Sequence, residues 1–386
     1  MTDLGSIDAV ELSRDLIRRP SVTPADAGAM DVLQARLEAL GFDCRRMRFG
    51  EIENLYARRG AASPNLCFAG HTDVVPVGDA AAWTSGPFEA QVKDGVLYGR
   101  GAADMKSAIA AFTSAVASVL ARGEPAGSLS LLITGDEEGE AVDGTKAVVA
   151  ALAAEGEVID HCVVGEPTSS AALGDMIKIG RRGSINACLT VEGVQGHVAY
   201  PDRAANPVPP LIRFLAAAQA RVLDQGYLGF QPSNLEVTTI DVGNPVTNVI
   251  PSTARARLNI RFNPSHTGAA LAEWLQVEAR KAGEGFSGAV RLETKISGEA
   301  FLTEPGRFTE VVAGAVRSVS GVTPELSTTG GTSDARFIRA LCPVVEFGLV
   351  GASMHAVDER TPVADIRTLA AVYERLIDDY FEAFSS

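Results

Sequence analysis

Three adjacent carboxylates, Asp136, Glu137 and Glu138, follow directly on the apolar run Leu131-Leu132-Ile133-Thr134-Gly135. The run reads as a buried parallel strand, and the acids as the loop at its carboxyl end. Neighbouring acids repel one another and are costly to desolvate, so the cluster calls for a compensating cation or for full exposure to water. Metal binding, with one acid left free as a base, is the chemical reading. A solvated acidic loop is the plain one, since charged loops are common.

Two more strands end in the same way. Asn65-Leu66-Cys67-Phe68-Ala69-Gly70 leads into His71-Thr72-Asp73, and Ile159-Asp160-His161-Cys162-Val163-Val164-Gly165 leads into Glu166. His71 and Asp73 have the spacing of a metal ligand and the carboxylate that fixes its tautomer, or of a locally capped turn. Asp104 stands where a helix with Met105, Ile109, Phe112, Val116 and Val119 on one face begins, so it caps that helix or offers its two oxygens to two ions. His355 follows another buried strand, Pro343-Val344-Val345-Glu346-Phe347-Gly348. Open parallel sheets bind ligands at the carboxyl ends of their strands, so these coincidences converge on one site. Two imidazoles with Asp104, Glu138 and Glu166 form a mixed nitrogen and oxygen set that suits a pair of zinc ions, with cobalt or manganese as substitutes. His161 and His266 have no such context and read as structural or exposed.

The elements that must carry these residues alternate as strand, helix, strand, the unit of a parallel sheet. Helices are expected over residues 7–19, 26–40 and 144–154. From about residue 181 the texture changes to strands of alternating polarity over 184–192, 235–242 and 254–262, with helices over 207–223 and 267–282, as in an antiparallel sheet with one wet face. The expectation is an α/β protein: a catalytic domain with a mixed, mainly parallel sheet and helices on both faces (residues 1–180 and 295–386), and an inserted α+β domain (181–294). In the return segment, Thr328-Thr329-Gly330-Gly331-Thr332-Ser333 forms a loop whose amides and hydroxyls suit an anion.

Composition narrows the partners. With 34 Lys+Arg against 48 Asp+Glu over 386 residues, the net charge of −14 argues against nucleic acid or an anionic membrane and favours a multivalent cation. No apolar run reaches membrane-spanning length, and the acidic residues 1–8 carry no secretory signal. The five cysteines are scattered and odd in number, as expected of structural thiols in a reducing cytoplasm.

Together, Gly70-His71-Thr72-Asp73-Val74-Val75-Pro76, Gly99-Arg100-Gly101-Ala102-Ala103-Asp104-Met105-Lys106, Asp136-Glu137-Glu138 and Val164-Gly165-Glu166-Pro167 resemble the M20 family of co-catalytic zinc amidohydrolases. Gly180-Arg181-Arg182-Gly183-Ser184, Gln195-Gly196-His197, Asn248-Val249-Ile250-Pro251, Thr328 to Asp334 and Met354-His355 extend the resemblance over nearly the whole chain. It implies two zinc ions per subunit, with Asp104 bridging, His71 and Glu166 on one ion, and Glu138 and His355 on the other. It implies Glu137 as general base and Asp73 as orienter of His71. It also implies a homodimer through the inserted domain, with His197 reaching the partner's site and, with Asn248, steadying the oxyanion. Arg181, Arg182 and Arg261 are candidates for substrate carboxylates because guanidinium binds them bidentately; Thr328, Gly330, Gly331, Thr332 and Ser333 complete the expected substrate contacts. The implied reaction is hydrolysis of N-succinyl-LL-2,6-diaminopimelate. The alternatives are another deacylase of the family, such as one acting on N-acetylornithine, and a non-catalytic binding protein of the same fold. Three blocks depart from the family pattern: Asp202-Arg203 after Tyr200-Pro201, Ala335 after Asp334, and Ala356-Val357-Asp358-Glu359 after His355.

Overall fold

A computed structural model describes residues 6–385; residues 1–5, part of the stretch read for a targeting signal, lie outside the described residues. The chain divides into two compact units.

The first unit comprises the described part of Met1–Ile179, Thr303–Ser327 and Ser333–Ser386. Its eight-stranded sheet has the order Asp43–Phe49, Ile52–Arg59, Ser128–Thr134, Asn65–His71, His161–Val164, Val344–Glu346, Met176–Lys178, Glu325–Ser327. The central strands are parallel: Asn65–His71 pairs with both Ser128–Thr134 and His161–Val164, and His161–Val164 with Val344–Glu346. The Ser128–Thr134 and Asn65–His71 strands are buried at every position, as a strand covered on both faces must be. The sequence reading missed the edge hairpin Asp43–Phe49 and Ile52–Arg59, because its first strand carries three arginines and no clean alternation.

Helix Lys106–Arg122 is buried nearly all round, packing on Ala9–Ile17 and Val363–Phe384 as well as on the Asn65–His71 strand. Phe112 stacks on Phe68 of that strand with ring centroids 4.4 Å apart, and Tyr373 meets both rings edge-on. The strand lies so close that a Cβ at Gly70 would sit 2.5 Å from the Met105 methyl, so any larger residue there would have to push that side chain aside. This packing fixes where the strand ends, and with it His71.

The second unit comprises Gly180–Leu302 and Thr328–Thr332. Its four-stranded antiparallel sheet has the order Asn234–Asp241, Thr253–Phe262, Gly183–Glu192, Ala289–Gly298. Ile185, Ala187, Leu189 and Val191 alternate with more exposed residues and pack, with Ala254, Leu258 and Ile260, against Phe214 and Leu275 of helices Val208–Ala220 and Gly268–Ala282. The expected return of the chain at 295 falls within Ala289–Gly298, a strand paired with Gly183–Glu192 along its length. The unit ends instead at Leu302, because Phe301–Leu302 closes back on Gly180–Arg181. The 328–332 loop belongs to this unit too, a return that no composition change in the sequence marks.

Among the described residues, no helix is long and apolar enough to cross a membrane. Cys67, Cys162 and Cys342 are buried, Cys44 and Cys188 half-buried, and all are free thiols.

Candidate metal centre and catalytic residues

In the first unit, five side chains from five separate segments meet at the carboxyl ends of the parallel strands. His71 Nε2 lies 3.2 Å from Asp104 Oδ1 and 3.9 Å from Glu166 Oε1. Asp104 Oδ2 lies 3.3 Å from His355 Nε2, which is 2.8 Å from Glu138 Oε1. Asp104 is therefore central, with one oxygen towards each imidazole. It lies just before helix Lys106–Arg122, whose N-cap is Met105, so it is not the cap that a lone aspartate at a helix start suggests.

The charges favour a cation. Burial draws the pKa of His71 down, but the hydrogen bond and charge of Asp104, with Asp73 and Glu166, outweigh this and hold it well above the usual imidazole value. Hydrogen bonds from Asp104 and Glu138 push His355 up to about 10. Burial opposes ionisation of Asp104, yet contacts with His355 and His71 pull its pKa below the usual carboxylate range. A cluster that draws protons onto two imidazoles is one that divalent ions would neutralise. The donor atoms of His71, Asp104 and Glu138, and separately those of His71, Glu137 and Glu166, lie within 4.8 Å of one another. Imidazole nitrogen and carboxylate oxygen at such spacing fit zinc.

The loops that present these groups are held by buried partners. His71 Nδ1 is 2.9 Å from the Asp73 carbonyl oxygen, which only accepts; Nδ1 therefore carries a proton, and on the neutral ring the lone pair is left on Nε2, facing Asp104. The Asp73 carboxylate stands farther off, at 3.7 Å. Its oxygens instead accept the backbone N–H groups of Glu137 (3.2 Å) and Glu138 (3.0 Å), so Asp73 shapes the acidic loop, while the contact that orients His71 comes from its backbone. Burial raises the Asp73 pKa to about 6 against the pull of His71 and those amides. Asp136 takes no part in the cluster: its Oδ2 accepts from Val142 and Asp143 N–H and closes the loop. Glu137 lies with His71 and Glu166. Burial, then the charge of Glu166, raise its pKa well above the usual value against the pull of His71, so it is a stronger base than a free glutamate.

Two residues beside this centre, Arg100 and Glu359, were not singled out from the sequence for a role. Glu359, fully buried, accepts from the Arg100 guanidinium (2.7 Å) and from the backbone N–H groups of Gly101, Ala103 and Asp104. Only its place four residues after His355 hinted at a role. Ser333 was expected to touch substrate, but its hydroxyl donates to the buried Glu346 carboxylate, which leaves its oxygen free only to accept.

The second unit gathers the other candidates among themselves. Gly196–His197 pairs with Val249–Ile250, and Val198 N–H donates to the Asn248 carbonyl (3.1 Å), so His197 and Asn248 share one exposed ribbon. His197 Nδ1 accepts from Ala199 N–H at 3.0 Å, which leaves Nε2 as the donor on the neutral ring. Arg261 is opposite Ser184 and Asn234 in the sheet; burial, then the positive charge of Arg182, lower its pKa. Two guanidiniums close enough to repel mark a place suited to an anion. Arg182 donates to Asn234 Oδ1 at 3.0 Å. Arg181 is buried and donates to the Thr329 carbonyl (3.3 Å), while the Thr328 hydroxyl donates to the Gly229 carbonyl. Gly330, at φ +109°, leaves room for the Arg181 guanidinium where a Cβ would collide with it. Gly331 and Thr332 complete this loop. His266 pairs with Asp224 (3.1 Å) and His161 with the Tyr380 hydroxyl (3.0 Å), both structural roles.

Residues 67–379 match the pattern of Peptidase family M20/M25/M40. A succinyl-diaminopimelate desuccinylase of Caulobacter vibrioides (strain NA1000 / CB15N) is 73% identical over 98% of each chain. One of Maricaulis maris (strain MCS10) is 61% identical over 97% of this chain and 96% of that one. Among solved structures, an M20 family metallo-carboxypeptidase from Sulfolobus solfataricus superposes with TM-score 0.78 at 18% identity, covering 97% of this chain and 99% of the other. The Bacillus subtilis YXEP protein, described as a dinuclear metal-binding peptidase, does so with TM-score 0.72 at 15% identity, over 97% and 98%.

Proposed function

The chain belongs to peptidase family M20/M25/M40 and is an amide-bond hydrolase, and from that premise we propose that it cleaves N-succinyl-LL-2,6-diaminopimelate to succinate and LL-2,6-diaminopimelate in lysine and cell-wall precursor synthesis. The observation that carries this reading is near-full-length identity of 73% to a relative named for that activity. The fold neighbours, at 15–18% identity, bear on the architecture alone.

His71 and Glu166 would hold one zinc ion, Glu138 and His355 the other, and Asp104 both; cobalt or manganese are substitutes. When bound, the ions supply Lewis acidity, which lowers the pKa of a water and polarises the acyl carbonyl. Glu137 takes a proton as the water oxygen bonds to the succinyl carbon, then delivers it to the leaving nitrogen as the C–N bond breaks. Its raised pKa suits both halves of that transfer. Arg181, Arg182 and Arg261 recognise the substrate carboxylates with the 328–333 loop. We further read the second unit as the dimerisation surface, with His197 donating from Nε2 to the developing oxyanion in the partner's site and Asn248 beside it. A cytoplasmic homodimer results.

The test is turnover by metal-loaded protein on N-succinyl-LL-2,6-diaminopimelate beside N-acetylornithine, with and without a chelator. Chelator-sensitive succinate release from the first alone is the expected result. Cleavage of only the acetyl compound would keep the metal site and overturn the substrate.

A further inference from the structure

We propose that Arg100 and Glu359 are a positioning pair that builds the metal position closed by Glu138 and His355, rather than a fold-stabilising ion pair. The inference rests on the two-metal reading above.

Arg100 and Glu359 are 2% and 0% exposed, with Nη1 and Oε2 2.7 Å apart. A buried ion pair loses two hydration shells, and well-packed apolar residues often stabilise a fold as well or better, so stability alone is a weak reason for it. The hydrogen bonds point elsewhere. Glu359 Oε2 also accepts from Gly101 N–H (3.1 Å), and Oε1 from Ala103 N–H (2.9 Å) and Asp104 N–H (3.0 Å). Its remaining acceptor capacity thus goes to the turn that presents Asp104.

Arg100 reaches the other way. It donates from Nη1 to the Ala356 carbonyl (3.3 Å) and from Nη2 to those of His355 (3.4 Å) and Pro76 (3.3 Å), with the Trp83 ring 5.3 Å from the guanidinium carbon. His355 has φ +61°, a left-handed conformation that a side-chain-bearing residue keeps only where its surroundings hold it. The carbonyl contacts of Arg100 supply that hold. One pair therefore grips the backbone at both Asp104 and His355, whose side chains stand 3.3 Å apart. His71 and Glu166, by contrast, sit at or just beyond the ends of buried sheet strands. Asp104 serves both positions, but the one it shares with His71 and Glu166 is also anchored at sheet strands, whereas the one it shares with Glu138 and His355 depends more on Arg100 and Glu359.

The experiment is titration of metal-free protein with Co²⁺ and with Zn²⁺, read by equilibrium dialysis and by the visible spectrum of the cobalt form, for the parent, Glu359→Gln and Arg100→Lys. The parent is expected to bind two equivalents. The variants should bind one equivalent about tenfold to a hundredfold more weakly, the usual size of an outer-sphere effect, and the other with a much smaller loss, since Asp104 serves both positions. Two equivalents at parental affinity in folded variants would overturn the inference, as would equal weakening of both positions with a lowered melting temperature, the signature of a merely structural pair. A parent that binds fewer than two ions would remove the two-metal reading itself and the inference with it. Should neither variant fold, amide exchange in the metal-free parent decides: the Gly101, Ala103 and Asp104 amides should already be protected, and exchange at the rate of open-loop amides would overturn the pair's role.

Discussion

In the first unit, candidate site residues lean on one another: His71, Asp104, His355 and Glu138 form a continuous run of contacts, and Asp73 and Glu359 hold the loops that bear them. In the second unit, His197 and Asn248 lie exposed on a two-stranded ribbon, and the half-buried Arg182 and Arg261 lie close enough to repel near the ends of inner strands of the sheet. The difference follows from what each group must meet. A metal ion demands fixed donors, so the candidate ligands His71, Asp104 and Glu166 are pre-set by burial and the more exposed His355 by the contacts of its loop. Groups proposed to read a flexible acyl diamine would need access and tolerate rotamer freedom until substrate arrives. The first unit should therefore lose chemistry without losing shape when one free base is removed, and the second should lose rate or affinity without losing metal.

The largest effect expected from this contrast is at Glu137. Glu137→Ala should lower kcat by about a thousandfold, the scale of a lost general base, while metal content stays at the parental value. Mass spectrometry of bound metal beside steady-state kinetics checks it. A fall in metal content to match would make Glu137 a ligand and erase the division between held donors and free base.

His197→Ala should come next, at about a hundredfold in kcat for one oxyanion donor, with metal content again intact. Mixing it with Glu137→Ala subunits tests the trans role: hybrid sites should restore part of the activity. No recovery despite demonstrated subunit exchange would return His197 to the surface of its own subunit.

The structure also separates what sequence can and cannot reveal. His71, Glu138 and Glu166 were legible because each follows an unbroken apolar run, and a strand buried on both faces leaves its end as the first place for a polar group. Asp104 and His355 entered the set only by convergence with the others, since a lone aspartate before a helix and a histidine in a loop have ordinary explanations, and their separate roles came from the family resemblance. Arg100 and Glu359 were not legible: their pairing is set by how two distant loops close on each other, and no spacing encodes it. The direction of Asp73 was half legible, because sequence showed its nearness to His71 but not that its carboxylate turns to the Glu137 and Glu138 amides. The return at Leu302 was hidden for a related reason: Phe301–Leu302 is too short to show a period, yet its pairing with Gly180–Arg181 closes the unit.

Removing metal should expose the first unit's charge balance to pH. The folded-state pKa of His355 is raised to about 10 from an ordinary 6.5, and that of His71 is raised as well, so the stability they contribute to metal-free protein is complete below about 6.5 and is lost as pH rises through about 10. The melting temperature of metal-free protein should fall across that window. Metal displaces the same protons, so apparent zinc affinity should rise in it by roughly tenfold per pH unit for each proton released. Melting curves and competitive chelation at matched pH values check both signs. His355→Gln should flatten each slope, and an unchanged slope would place the linkage elsewhere.

The smallest effect probes the second unit's anion site. Gly330 adopts φ +109°, and a Cβ there would collide with the Arg181 guanidinium. Gly330→Ala must therefore strain the loop or move Arg181, at a cost of about 1 kcal/mol or more. If Arg181 binds a substrate carboxylate, KM should rise about fivefold to tenfold while kcat and metal content hold, because lost uniform binding leaves the chemical step alone. An intermediate Arg181→Lys variant, which keeps the charge but not the bidentate fork, should raise KM in the same direction, and combining it with Gly330→Ala should add little further. Full additivity of the two changes would mean that loop and guanidinium act on different parts of the substrate, so that the glycine serves only the backbone of its own loop.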